Sequence, residues 1–209
     1  MKKALYGFLA VAAMVSFTAC SSDAEVVEEV VEEEAAFQDY ELVNDESTIE
    51  WIGTWVGGES DGKVHNGTVS VTEGELHLEG GVYSGGFVVD MTTINNLDIE
   101  DETYKTKLEG HLKDPDYFNT EEFPITKVAV EGVNFEEANI RVHALGLAIE
   151  RTVPIKATFD GDNVSLTGEF EIDFEEAKMP GTQLNPEAPE NGSVSSKVKF
   201  KVNVVLVKK

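Results

Sequence analysis

Four histidines and a dense supply of carboxylates are the groups with which this sequence could do acid–base or metal chemistry. His65, His77, His111 and His143 show no HExxH or HxH spacing, so no metal site is predicted. His111 and Asp116 are close enough in the chain to suggest an acid–base pair. A structural role is expected instead. Asp114 or Asp116 caps a turn, His111 bonds to a nearby backbone group, and Tyr117 with Phe118 pins a helix. Asp90 interrupts an apolar run, so it faces outward or takes a partner, and Lys113 is read as solvated. The sequence has no G-x-S-x-G elbow, Walker loop or dinucleotide fingerprint. The expectation is that the chain is no enzyme and uses no cofactor.

Charge narrows the choice of partners. Asp and Glu number 40 against 16 Lys and Arg, a net of -24. Such a surface repels phosphate backbones, so no nucleic-acid partner is expected. It also argues against docking on anionic headgroups through a basic face. Hydrophobic residues make up 41%, enough for a sizeable core.

The single cysteine excludes an internal disulfide framework, and its position is informative. Lys2 and Lys3 precede the uncharged stretch Ala4 to Ala19, short for a membrane span but suited to a secretory signal. It closes with Phe17-Thr18-Ala19-Cys20, which resembles the lipobox of bacterial lipoproteins. That resemblance implies cleavage before Cys20 and acyl chains on its sulfur. Two or more chains anchor firmly, each buried CH₂ giving ~0.8 kcal/mol. Residues 1–19 are thus expected to be a signal peptide and residues 20–44 an acidic tether on a lipidated Cys20. The glutamates of Ser21 to Ala36 repel one another and favour an extended spacer.

From Ser47 onward the pattern changes to period 2, the mark of strands with one buried face. Val198, Phe200, Val202, Val204 and Leu206 alternate with polar residues, as do Val164, Leu166, Gly168, Phe170 and Ile172. Val153, Ile155, Ala157 and Phe159 make a third set. Turn signals lie at Glu73-Gly74, Glu79-Gly80-Gly81, Asp160-Gly161-Asp162 and Asn191-Gly192. The predicted fold class is all-β: an antiparallel β-barrel of about eight strands over residues 45–209. A helical insertion is predicted within Ile99 to Phe118, started by Glu100, Asp101 and Glu102 and ended near Asp114-Pro115. The inward residues Trp51, Phe87, Val89, Met91, Phe159, Phe170, Ile172, Phe200 and Val202 either surround a slot for one slender apolar ligand or fill a solid core.

Four stretches, in order, resemble the YceI-like lipocalin-fold proteins: Ser47 to Gly53 (STIEWIG), His65 to Val71 (HNGTVSV), Gly85 to Ile94 (GGFVVDMTTI) and His111 to Phe118 (HLKDPDYF), with Phe123-Pro124 beyond. Leu145 to Pro154 and Ile172 to Glu175 follow the family pattern only loosely. The resemblance implies a lipocalin-like barrel whose tunnel binds an isoprenoid or similar amphiphile, polyprenyl phosphates and isoprenoid quinones being the associated classes. The expected protein is an exported, membrane-anchored lipoprotein at the periplasmic face of the outer membrane or the cell surface, carrying such a lipid. A structural or adhesive barrel without a ligand is the alternative. An enzyme acting on envelope lipids or glycans ranks third, and a dimer stays open.

Overall fold

The computed structural model describes residues 37–133 and 136–209. The signal segment, Cys20 and the acidic run to Ala36 lie outside the described residues. Eleven strands and one α-helix are present among the described residues, and eight of the strands are eight residues or longer. These eight are β2 (Thr48–Val56), β3 (Val64–Glu79), β4 (Val82–Asn96), β5 (Ile125–Val133), β6 (Glu137–Ala144), β7 (Leu147–Pro154), β9 (Asn163–Asp173) and β11 (Lys197–Lys208). The short strands are β1 (Gln38–Leu42), β8 (Lys156–Asp160) and β10 (Ser193–Val194).

The pairings close a circle of antiparallel neighbours, giving the lipocalin-like barrel. Strands β2 to β7 pair in sequence order, β11 pairs with β2 and β9, and β9 pairs with β8. Two positions in the wall are each filled by two successive short pieces. Strands β1 and β2 both lie between β3 and β11, separated by a break at Asn44–Glu46. Strands β7 and β8 are joined at Ile155; β7 pairs with β6, whereas β8 pairs with β9. This exchange of partners completes the circle. Among the described residues no ladder joins β7 to β9, although the two touch where Gly168 meets the Pro154 carbonyl.

The clearest alternations face one another. Phe200 pairs with Phe170, Val204 with Leu166 and Leu206 with Val164 on the inner face. On the outer face the lysines of β11 oppose the acids of β9, as in Lys201–Glu169 at 3.3 Å and Lys197–Glu171 at 3.7 Å. Unlike charges across a strand pair favour this register over a slip that would turn the apolar set outward. Glu73-Gly74, expected as a turn, is instead an irregularity within β3, where the register against β4 shifts. The extra residue bends the strand without ending it. Gly74 also lies under the Phe87 ring, where a Cβ would collide.

All the long connections lie at one end of the barrel. Because the strands alternate in direction, 57–63, 97–124 and 174–196 share that end with the β6–β7 turn. The opposite end holds the β3–β4 and β8–β9 turns. It is packed solid by Tyr40, Leu76, Val164 and Leu206, all buried.

Candidate functional site

The interior above that plug is hollow. A cavity of ≈ 180 Å³ is walled by inward residues of all eight long strands and roofed by the long connections. One water needs only about 10–15 Å³ of such space, so the void is far larger than a packing defect. Its wall is aliphatic and aromatic. Tyr117, Thr126, Thr182 and Ser195 are the hydroxyl-bearing residues of the lining, and the Trp51 indole donates to the Thr68 carbonyl at 3.2 Å, so the open surface of the hollow is almost wholly apolar.

The structure brings Trp51, Phe87, Val89, Met91, Phe170, Ile172, Phe200 and Val202 together on this wall. Phe159 is not among them, which corrects its sequence assignment. It keeps the inward phase of its strand but sits at the β8–β9 tip, beyond the hollow. There it is 41% exposed and packs on Tyr83 at 5.5 Å, which in turn packs on Tyr40 at 6.2 Å. Burial and the neighbouring Tyr40 raise the Tyr83 hydroxyl to about 12. The aromatic group thus stays neutral and belongs to the plug. Several wall residues are only half-buried although they point inward, among them Ile49, Val128, Phe170, Phe200 and Val202. Their open surface faces the hollow.

The roof has two parts. Helix α1 (Glu102–Lys113) opens the first, shorter than the predicted Ile99 to Phe118 span. Asp101 caps it, its carboxylate accepting from the Thr103 and Tyr104 N–H groups at 2.9 and 3.1 Å. Asp114 and Asp116, expected as side-chain caps, bond through their backbones instead. The Asp114 N–H donates the closing bonds of the last turn to the Gly110 and His111 carbonyls, so the chain turns just before Pro115. His111 contributes its carbonyl to that turn, and its exposed ring does not line the cavity.

A polar knot ties the helix to the barrel. Asn96, fully buried, donates from Nδ2 to the Asp98 carboxylate at 2.6 Å and the Asn66 carbonyl at 3.0 Å. Its Oδ1 accepts from the Ile99 N–H, and its own N–H reaches Glu109 of α1 at 2.8 Å. His65 bonds the same Asp98 at 2.7 Å. Burial would raise the Asp98 carboxyl, but the bonds from Asn66, His65 and Asn96 outweigh it and hold the group below the usual range. Asp90 likewise finds partners, accepting from the Thr92 N–H and hydroxyl.

The second part, 174–196, is stitched to the first. The Gly181 N–H donates to the Asp116 carbonyl at 2.8 Å, and the Tyr117 hydroxyl donates to the Gly181 carbonyl at 3.4 Å. Phe118 meets Phe174 edge-on at 5.7 Å, and Phe174 meets Phe200 at 6.5 Å. Burial, with Asp116 nearby, raises the Tyr117 hydroxyl, so it remains a neutral donor. Tyr117 and Phe118 do pin the helix, and with Leu112, Met179 and Thr182 they also face the cavity. Sequence reasoning missed this second role, because the connections carry no periodicity that marks an inward side.

Tyr117 is the one titratable group among the described wall residues. The wall therefore offers no acid–base pair, and what the arrangement can do is shelter hydrocarbon.

Comparison with known proteins agrees in fold. The family described as YceI-like domain matches residues 40–206. The BcnA structure from Burkholderia cenocepacia superposes with a TM-score of 0.55 at 15% identity, covering 78% of this chain and 98% of its own. A polyisoprenoid binding domain from Saccharophagus degradans, implicated in plant cell wall breakdown, superposes at 0.59 with 12% identity, covering 81% and 98%. No curated protein matches the sequence.

Proposed function

Since the chain belongs to the family of YceI-like domains, we propose that it binds an isoprenoid-like amphiphile, its hydrocarbon in the barrel and its head under the roof. The observation that carries this is the ≈ 180 Å³ apolar hollow with a plug at one end. Burial of about ten carbons at ~0.8 kcal/mol per CH₂ supplies ~8 kcal/mol. That matches a micromolar complex before the costs of ordering are subtracted. The similar domain from Saccharophagus degradans is described as polyisoprenoid binding, which supports the same ligand class here. No catalytic step is assigned to the site.

The cell-envelope setting belongs to the same proposal and rests on the sequence around Cys20. An acylated Cys20 holds the domain to a membrane, and the acidic run to Ala36 spaces it from the surface. The test is native mass spectrometry of the full-length protein purified from a membrane extract, followed by solvent extraction. A stoichiometric isoprenoid-like lipid is expected. A protein that carries none, and takes up none when offered prenyl lipids, would refute ligand binding and leave a barrel of structural or adhesive use.

A further inference from the structure

Among the described residues, no cation lines the hollow. On the strands, alternation turns Lys127, Arg141, Lys197, Lys199 and Lys201 outward next to inward wall residues, whereas Arg151 keeps the inward phase opposite Ile140 but is exposed, donates to the Glu150 carbonyl and does not line the hollow. Lys197 and Lys201 meet Glu171 and Glu169, and Arg141 lies 2.9 Å from both Glu131 and Glu150. At the roof, Lys113 follows Leu112 on the helix and so projects about 100° away from it. Lys178 precedes Met179 and is exposed. None of the described residues that line the hollow is charged.

The roof itself is strongly acidic. Segments 97–124 and 174–196 together hold thirteen carboxylates against four lysines. An anionic head held beneath them would lose its water, find no counter-ion and face like charges through a medium of reduced dielectric. Four hydroxyl-bearing residues, by contrast, belong to the lining at this end. Thr126 opens β5, Ser195 lies just before β11, and Tyr117 and Thr182 belong to the two parts of the roof. Each hydroxyl keeps capacity to donate or accept beyond the bonds it already makes.

We infer that the site selects amphiphiles whose head is uncharged and forms hydrogen bonds (an alcohol, a quinone, an amide or an ester), and rejects prenyl phosphates of the same chain length. The inference deepens the lipid-binding proposal and rests on it.

The test compares geranylgeraniol with geranylgeranyl monophosphate, titrated into the delipidated domain at physiological salt and followed by Trp51 fluorescence and calorimetry. The alcohol is expected to bind at least tenfold more tightly. Ser195→Lys, which places a cation at the rim, is expected to bring the phosphate within about threefold of the alcohol. Equal or tighter binding of the phosphate to the unaltered protein would overturn the selectivity while leaving lipid binding intact. Binding of neither probe would overturn both.

Discussion

Whether the barrel interior is open is tested most directly by filling it. Val128 is the residue of choice. It faces inward between Phe87 and Val142, both buried, yet is itself half-buried because its free side looks into the hollow. Val128→Phe keeps a residue that suits strands and adds about four carbons, each worth at most ~0.8 kcal/mol when removed from water. The ceiling is therefore about 3 kcal/mol. Imperfect fit and lost ring freedom reduce it to about 1 kcal/mol. For a domain of this size that is a rise of roughly 2–4 °C in Tm. The measurement is urea and thermal unfolding of delipidated protein, since a bound lipid would itself stabilise the unaltered chain. Binding of geranylgeraniol should weaken at least tenfold in the same variant. An already packed interior would give the opposite sign, because overpacking costs about 1–3 kcal/mol. A fall in Tm would thus refute the hollow barrel.

Three further outcomes are expected. Gly67→Ala should cost about 1–3 kcal/mol, because the new Cβ would collide with the Asn95 carbonyl and the Trp51 indole; a lowered urea midpoint and red-shifted Trp emission check it. His77 should titrate above its ordinary value of 6.5, chiefly through its bond to Asp39, with Glu75 adding to the effect. Its folded pKa is raised, so the stability it contributes is full below 6.5 and fades as pH rises through the folded value; an NMR titration in which Asp39→Asn leaves the midpoint unchanged would contradict this. Cys20→Ser should move the expressed protein from the membrane to the soluble fraction, and persistence in the membrane would count against acylation there.

The parts of the fold that follow local rules were legible in the residues. The alternations of β9 and β11 could be read directly, whereas which strands face each other could not. Asp101 and Pro115 bracket the helix as capping and proline geometry require. The misreadings have physical causes. Glu73-Gly74 has the composition of a turn, but its pairing with Val88 and Phe87 of β4 keeps β3 continuous through it. Phe159 has the correct phase, yet phase says nothing about height along the barrel, and at its height the interior is already filled. Of the hollow, the inward strand residues could be read from alternation, and a helix inserted between barrel strands is expected to lid one mouth, but the roof side chains that face inward could not be read. Leu112, Tyr117, Met179 and Thr182 come from aperiodic segments, and only tertiary contact decides which of their side chains turn inward.

The exchange of partners between β7 and β8 has a mechanical consequence. Elsewhere the circumference is fixed by rungs of hydrogen bonds, and widening it would mean breaking them. Between β7 and the part of β9 beyond Gly168 there are no such rungs, so the wall has an expansion joint on one side. Among the described residues, separation along that line costs side-chain contacts and no ladder hydrogen bonds. Under the proposed lipid-binding function, that seam sets the girth of a guest and the aromatic stopper at the far end sets its length.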